Sequence, residues 1–281
     1  MGYVILYILV AAVILLFVYG YLENGHLKVE RYEIQHERIL KPLRIVFLTD
    51  LHANEHGREN YKLVRRIREV NPDILCITGD MVVKNGAHTE RVLALLERLA
   101  EEYPVYYSPG NHEIRLSNYV EYKNKIKKMG IHYLENESVF LADCNVCITG
   151  LDLPEHWYHK VWERRVLTKE AMEKLAAPPA DEQVFSLLLA HNPEYFPVYK
   201  EWGADLTLSG HIHGGVAILP VVGGVLSPSL RLFPKYDQGL KEEEGRYILI
   251  SRGLGLHHIK FRFFNRPELS VINLSCQAGE K

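Results

Sequence analysis

Aspartate, asparagine and histidine residues recur in this chain of 281 residues, and each group of them directly follows a short apolar segment. In chain order, the five groups are Asp50-Leu51-His52, Gly79-Asp80, Gly110-Asn111-His112-Glu113, His191-Asn192 and Gly210-His211-Ile212-His213-Gly214-Gly215. Taken singly, such groups usually mark turns. Their common position after apolar segments, beside glycines that allow sharp backbone turns, indicates a binding site.

These side chains offer carboxylate oxygens, an amide oxygen and imidazoles, but no thiolate. That set suits the divalent metals Mn, Fe, Zn or Co, with Mn favoured, because Ca and Mg sites rarely use imidazole and structural Zn sites usually use sulfur. The candidate ligands are too many for one ion. Two cations about 3.5–4 Å apart that share a carboxylate would account for their number and would suit chemistry on a phosphoryl group.

Short apolar runs bounded by turn residues predict the buried strands that position these groups. These runs cover residues 43–49, 73–78, 105–108, 184–190 and 205–209. Apolar residues at helical spacing predict helices over residues 60–70 and 89–101. The alternation of strands and helices indicates an α/β fold, and further short strands in the second half favour a mixed α/β sandwich. In such folds, bound molecules lie outside the carboxyl ends of the strands, and the candidate metal-binding residues follow those ends here.

Together, the five groups resemble the signature blocks of the calcineurin-like metallophosphoesterases, in order and at similar spacing, over about residues 43–275. The fold of that family is a four-layer αββα sandwich of two mixed β-sheets, so the resemblance implies this architecture here. Segments such as LLLAHNPEYF, DLTLSGHIHGG and RFFNRPELSVINL are similar to a bacterial branch whose members often carry an N-terminal membrane or export segment.

The resemblance implies a role for each candidate residue. Seven side chains would bind two metals: Asp50, His52 and His213 the first, Asn111, His191 and His211 the second, and Asp80 both. His112 would remain uncoordinated as the catalytic residue, to protonate the leaving oxygen or to stabilise charge on the phosphoryl group.

Two positions depart from the family pattern. In the protein phosphatase branch, an aspartate three residues after the bridging aspartate orients the catalytic histidine, and Val83 stands at that position here. The orientation of His112 is therefore open at this point. A glutamine commonly follows the GHxHGG block in the bacterial branch, where this chain has Val216.

The implied activity is hydrolysis of a phosphomonoester, phosphodiester or pyrophosphate by attack of a hydroxide that bridges the two metals. One alternative is a hydrolase specific for a nucleotide-linked lipid pyrophosphate at the membrane. Another is a catalytically silent, membrane-tethered metal-binding module, against which the intact His112 argues.

Candidate substrate contacts are weaker than the metal ligands. Arg115 and Arg252 are candidate anion contacts, although isolated arginines are usually solvated. The cluster His156-Trp157-Tyr158-His159 is a candidate wall of the cleft. The segment at 219–233, within a loop rich in proline and glycine, is a candidate lid, although such loops are usually spacers.

The N-terminus predicts a membrane anchor. Residues 2–22 are apolar and carry no charge, which is long enough to cross a bilayer as a helix, and tyrosines lie toward both ends. A cleaved signal peptide is the alternative, but no basic residue precedes the run and no small-residue cleavage site follows it. We therefore expect a single-pass protein of the cell membrane. Basic residues after the span favour a cytoplasmic domain, whereas exported members of the branch point to the other side.

Composition limits the remaining possibilities. The expected organisation is an anchor at 1–22, a linker with a candidate edge strand at 23–42, a metallophosphoesterase domain at 43–275 and a tail at 276–281. Lys plus Arg number 33 against 35 Asp plus Glu, so no basic surface for nucleic acid is expected. The four scattered cysteines do not form a disulfide framework or a zinc ribbon. Nothing in the sequence indicates an oligomeric state.

Overall fold

The computed structural model describes residues 2–158, 166–215, 218–219, 223–225, 232–255 and 262–277. Within these residues, two six-stranded mixed sheets pack face to face, and helices cover their outer faces. This arrangement confirms the predicted four-layer αββα sandwich. The predicted lid segment lies only partly within the described residues, and Val216 lies outside them.

The first sheet contains six strands in the spatial order β1-β14-β2-β3-β4-β5. Their bounds are β1 (Lys28–His36), β2 (Leu43–Leu48), β3 (Ile74–Ile77), β4 (Val105–Tyr107), β5 (His132–Tyr133) and β14 (Glu268–Cys276). All neighbouring pairs are parallel except β14 with β2. Because β1 pairs with β14 along nine residues, the folded body includes chain that precedes Leu43.

The second sheet has the spatial order β12-β13-β9-β8-β7-β6. Its strands are β6 (Ser138–Leu141), β7 (Val146–Leu151), β8 (Phe185–Ala190), β9 (Leu206–Ser209), β12 (Gly239–Glu243) and β13 (Arg246–Ile250). The four central strands are parallel, and β6 and β12 close the sheet as antiparallel edges. A small separate ribbon joins β10 (Ile218–Leu219) to β11 (Gly223–Gly224).

Burial on both faces explains the nearly continuous apolar runs of the central strands. In β2, Ile45 and Phe47 face the layer between the sheets, whereas Val46 and Leu48 face the helices. Successive side chains of a strand point to opposite faces, so a strand covered on both sides needs apolar residues at every position. The two apolar layers thereby hold the strand ends, and the candidate ligands that follow them, in fixed positions.

The helices of the outer layers are short and amphipathic. They are α2 (Tyr61–Val70), α3 (Thr89–Ala100) and α4 (Tyr119–Lys128) on the first sheet, and α5 (Lys169–Leu175) and α6 (Phe196–Trp202) on the second. In α2 the buried residues recur at helical spacing, and its polar residues face solvent. Helix α6 ends at Gly203, whose φ of 113° completes the turn into the next strand.

The N-terminal helix α1 (Gly2–Glu23) differs from all the others in its exposure. Its apolar side chains from Tyr3 to Val18 are exposed, and Gly20 and Glu23 are its buried residues. Within the described residues, it is the helix whose length and hydropathy suit a bilayer span. The carboxylate of Glu23 forms an ion pair with Arg266 at 2.8 Å, and the Gly20 carbonyl accepts from the Arg262 amide at 3.2 Å. The helix therefore projects from the domain and is attached to it through its last turn.

Candidate dinuclear metal site

The carboxyl ends of strands from both sheets meet at one place. The Asp50 amide, beyond β2, donates to the Gly79 carbonyl beyond β3 at 3.0 Å. The Asp50 carboxylate in turn accepts from the His211 amide, beyond β9 in the second sheet, at 3.0 Å. These contacts join the two sheets at the edge where the candidate ligands follow the strands.

One group of possible metal ligands consists of Asp50, His52 and His213. The Nε2 atoms of His52 and His213 are 3.1 Å apart, and His213 Nε2 lies 3.3 Å from Asp50 Oδ1. The ligand atoms of the group all lie within 4.8 Å of one another. Their side chains are buried or nearly so, which matches the first predicted metal site in composition and proximity.

A second group consists of Asp80, His191 and His211. His191 Nε2 lies 3.2 Å from Asp80 Oδ2, and the two imidazole rings have their centroids 5.2 Å apart. The other nitrogen of His191, Nδ1, is 2.6 Å from the Thr78 carbonyl. If that nitrogen donates to the carbonyl, Nε2 is left with its lone pair facing Asp80, as a metal ligand requires.

Asp80 connects these groups. It also belongs to a third group with His52 and His112, so ligand atoms on both sides of it lie within reach of its carboxylate. Asn111 Oδ1 is buried and has no hydrogen-bond partner in the described part of the chain. An unsatisfied buried amide oxygen beside imidazoles and carboxylates is the kind of donor that a bound cation satisfies. The residues present therefore fit two divalent cations.

The backbone at these positions is conformationally strained. Five of the seven predicted ligands have positive φ angles: Asp50 at 54°, His52 at 47°, Asp80 at 51°, His211 at 70° and His213 at 56°. Left-handed backbone costs free energy in residues other than glycine and persists only where the surrounding structure enforces it. Such concentration of strain is typical of functional sites.

A backbone amide orients His112. The Lys84 N–H donates to His112 Nδ1 at 3.0 Å, so the proton of the neutral imidazole lies on Nε2. That Nε2 atom is 3.8 Å from Asp80 Oδ2, and the His112 amide donates to Asp80 Oδ1 at 2.7 Å. The question raised by Val83 is answered here by the main chain of the next residue. Sequence reasoning missed this contact because a backbone donor leaves no mark in the sequence.

Glu113, the last residue of the Gly110-Asn111-His112-Glu113 group, supports the loops of the site. Its side chain is fully buried and accepts from the amides of Asp80 at 2.7 Å, Met81 at 2.8 Å and Gly110 at 2.9 Å. The Tyr107 hydroxyl donates to it at 2.8 Å. One carboxylate therefore ties together the two loops that carry Asp80 and Asn111. In the sequence, this role is indicated only by an acidic residue that directly follows Asn111-His112.

The charges of the site perturb its pKa values strongly. Burial alone would lower the pKa of His191, but the Asp80 and Asp50 carboxylates outweigh it and raise this pKa to about 9. Burial raises the pKa of Asp50 to about 7. Burial lowers the pKa of His112, and the positive charges of His191 and Arg115 add to the effect while Asp80 opposes it. Near neutral pH the metal-free site therefore holds a protonated His191 beside the Asp80 carboxylate, and a bound cation would replace that proton.

The two candidate substrate contacts differ in their surroundings. Arg252 donates from Nε to Glu268 at 2.7 Å and from Nη2 to Glu30 at 2.8 Å, so its guanidinium is held by two carboxylates. Arg115 is partly exposed, and its Nε donates to Glu155 at 2.8 Å. Its charge also contributes to the lowered pKa of His112. Of the two candidates, Arg115 is the one whose guanidinium is paired with a single exposed carboxylate.

The aromatic cluster lies partly beside the imidazoles. The Tyr158 ring has its centroid 5.5 Å from that of His211 and 6.0 Å from that of His191. The Trp157 carbonyl accepts from the Tyr195 hydroxyl at 2.9 Å, which fixes the segment. His159 lies outside the described residues. Tyr158 thus forms one wall of the site.

A sandwich of two mixed sheets that gathers aspartates and histidines beyond the ends of its strands is typical of the metallophosphoesterases. The model of the calcineurin-like phosphoesterase family matches residues 43–215, and this chain belongs to that family.

Relatives of similar length support the assignment. An uncharacterised metallophosphoesterase of Aquifex aeolicus is 31% identical, over 93% of this chain and 97% of that protein. The uncharacterised metallophosphoesterase YkuE of Bacillus subtilis is 27% identical, over 82% of this chain and 78% of its own length. Phosphodiesterase YaeI of Escherichia coli is also 27% identical, over 83% and 82% respectively.

Proposed function

We propose that this protein is a hydrolase of phosphate esters that uses two divalent cations. The observation that carries the proposal is the position of Asp80. Its carboxylate lies within 4.8 Å of ligand atoms of His191 and His211, and equally of His52 and His112. Asp50, His52 and His213 would hold one cation, Asn111, His191 and His211 the other, with Asp80 between them. When bound, the cations would supply a nucleophilic water and neutralise charge on the phosphoryl oxygens. The carboxylate and amide oxygens of the set favour Mn among Mn, Fe, Zn and Co.

His112 would act as the proton donor. Because Lys84 donates to its Nδ1, the neutral ring carries a proton on Nε2, the nitrogen on the Asp80 side. An N–H there can donate to a phosphoryl oxygen and can protonate the leaving alkoxide. A silent metal-binding module would have no use for this nearly fully buried, uncoordinated imidazole. The geometry therefore favours turnover over storage.

Arg115 would contact the substrate anion. It follows His112 by three positions in the chain, and its present partner Glu155 is well exposed, at 65% of its side-chain surface. An exposed ion pair contributes little free energy, so a phosphate could replace Glu155 at small cost. The bond that is cut is a phosphodiester in our proposal, because the Escherichia coli relative YaeI is a phosphodiesterase by name.

A second candidate substrate is a nucleotide-linked lipid pyrophosphate at the membrane. We propose that α1 is an uncleaved anchor, because its last turn is buried in the domain through Gly20 and Glu23. Tyr158 would provide an aromatic surface for a base. The anchor favours a substrate with one end in the bilayer, and the aromatic surface favours a substrate that carries a base.

Hydrolysis by the full-length protein in detergent tests the main proposal. Bis(p-nitrophenyl) phosphate is the substrate, with Mn²⁺ added after treatment with a chelator. We expect metal-dependent release of nitrophenolate by the parent protein and nearly complete loss in Asp80→Asn. The control is Asp143→Asn, whose side chain is 84% exposed and far from the ligands in sequence. Equal rates in the parent protein and Asp80→Asn would refute the proposal, and a panel of lipid-linked pyrophosphates in the same assay would test the second candidate.

A further inference from the structure

Three large apolar side chains are exposed on two segments of the domain. Leu232 is 66% exposed, Phe233 54% and Phe264 60%. We call these three residues the apolar rim. They come from two segments that are distant in the sequence, so their exposure on neighbouring loops is not a property of one local run.

The apolar rim adjoins α1. The rings of Phe264 and Tyr19 have their centroids 5.5 Å apart. On either side of Phe264, the Arg262 amide donates to the Gly20 carbonyl and Arg266 pairs with Glu23. Gly20 also packs so closely on the Phe263 ring that a Cβ there would lie 2.8 Å from it. Segment 262–266 is therefore fixed against the last turn of the helix.

The apolar rim is also connected to the metal site. Asn265 donates from Nδ2 to the carbonyls of His213 at 2.8 Å and Gly215 at 2.5 Å, and so supports the loop that carries two ligands. The Phe233 amide donates to the Val225 carbonyl at 3.0 Å. Gly224, which precedes Val225, packs on Gly214, because a Cβ on Gly224 would lie 2.7 Å from the Gly214 carbonyl oxygen. Both rim segments thus border the loop of His211 and His213.

We propose that the apolar rim is a second membrane-contact surface, seated in the interfacial region of the bilayer that α1 spans. The inference rests on the proposed anchor. Its basis is continuity, because the partly exposed Tyr19 ring lies against Phe264, and Tyr21 and Leu22 in the same turn of the helix are exposed. Aromatic and aliphatic side chains at that level of a membrane protein enter the headgroup region rather than water. Helix α1 and the apolar rim together would hold the loop of His211 and His213 beside the membrane surface.

Fluorescence quenching in liposomes tests this placement. Full-length protein is reconstituted in phosphatidylcholine vesicles with and without brominated acyl chains, and single tryptophans are introduced as Phe233→Trp, Phe264→Trp, Leu16→Trp and Phe140→Trp. Leu16 lies within α1 and reports on the anchor. Phe140 lies on the edge strand β6, is 54% exposed like Phe233, and is the matched control. The signal of the three native tryptophans is subtracted with the parent protein.

We expect brominated lipid to quench the tryptophans at positions 16, 233 and 264 several-fold more than the tryptophan at position 140. Quenching at 16 but not at 233 or 264 would overturn the rim assignment and leave the anchor intact. Absence of quenching at 16 would refute the anchor and the inference with it. Equal quenching at 140 and 264 would show that the domain has no preferred membrane face. None of these outcomes depends on hydrolysis, so phosphoesterase activity is tested separately.

Discussion

At the scale of single residues, His112 depends on the main chain of Lys84 for its orientation. A backbone amide can only donate, so it fixes Nδ1 as the acceptor and leaves the proton on Nε2. A carboxylate in that place would instead hold Nδ1–H and would favour the charged ring. The burial that lowers the pKa of His112 acts in the same sense as the amide, toward a neutral imidazole near neutral pH.

Replacement of His112 by asparagine is expected to lower kcat about 10²–10⁴-fold, the usual contribution of a positioned proton donor. Metal content, measured by elemental analysis, should stay close to that of the parent protein. The control is His132→Asn, which removes an exposed imidazole on β5. Unchanged kcat in a metal-loaded His112→Asn protein would exclude the catalytic role.

Glu113→Gln tests the residue that joins the ligand loops. Glutamine places an NH₂ group where three amides and one hydroxyl now donate, so a buried carboxylate acceptor is lost. We expect the free energy of unfolding to fall by about 2–4 kcal/mol and the affinity for Mn²⁺ to fall with it. Urea denaturation in detergent and metal titration measure the two effects. Glu97→Gln, on the exposed face of α3, should change neither; a stable Glu113→Gln protein with full affinity would contradict the assignment.

The sequence was most informative about the ligands and least about what supports them. Asp50, Asp80 and His191 could be identified because each directly follows an apolar run, a pattern visible along the chain. Lys84 contacts His112 over 28 positions, and Asn265 contacts His213 over 52. Contacts between distant loops depend on how the two sheets are stacked, which no local pattern records.

At the scale of structural elements, the loops after β3 and β4 cross in direct contact. Gly79 has a φ of 76°, and a Cβ on it would lie 1.9 Å from the Gly110 amide nitrogen. Gly110 also lies close to Asp80, since a Cβ on Gly110 would be 2.4 Å from Asp80 Oδ1. The absence of side chains at both positions is what lets the loops that carry Asp80 and Asn111 approach each other.

Gly79→Ala is therefore expected to reduce the free energy of unfolding by about 3 kcal/mol or more, because two backbones must separate. Gly130→Ala is the matched control, with a φ of 81° and open space around the added Cβ. It should cost only the strain of left-handed alanine, about 1–2 kcal/mol. Urea denaturation of both variants measures the two losses of unfolding free energy. The difference between them is the cost of separating the two loops, and equal losses would show that the loops are not in tight contact.

Strands were predicted more accurately than the shorter helices. The five predicted apolar runs correspond to β2, β3, β4, β8 and β9 within one or two residues, because burial on both faces leaves a continuous apolar signal. Helix α4, of ten residues, and helices α5 and α6, of seven residues each, were not predicted. Helix α4 buries only Tyr122 and Ile126, and two turns of helix in α5 and α6 show too few apolar repeats to be distinguished from a loop. All three depend on packing against a sheet.

At the scale of the whole molecule, protons and metals compete for the site. His191 has a pKa of about 9 in the metal-free fold, against 6.5 for an ordinary histidine, so the folded chain holds an extra proton between these values. The free energy of unfolding of the chelator-treated protein should fall as the pH rises from 6.5 to 9, by on the order of 2–3 kcal/mol. The pKa of Asp50, about 7, acts in the same direction near neutral pH. The lowered pKa values of His112, His211 and His213 oppose this fall near pH 6.5, because unfolded histidines are still half protonated there.

Metal binding requires these groups to be deprotonated. The increase in Tm on addition of Mn²⁺ is therefore expected to be larger at pH 9 than at pH 6.5. Thermal unfolding followed by circular dichroism in detergent, with and without the metal, measures it at each pH. His132→Asn should show the same pH dependence as the parent protein. An increment that does not change with pH would mean that His191 is neutral in the metal-free fold.

The connection between α1 and β1 is only residues 24–27, four residues that span at most roughly 13 Å. Three turn hydrogen bonds, such as that from the Gly25 amide to the Leu22 carbonyl, shorten it further. With α1 in a bilayer, the cleft would stay at a nearly constant height and could not swing into bulk solution. Encounters would then be governed by the lateral density of esters in one leaflet, a two-dimensional search, rather than by their concentration in the surrounding volume.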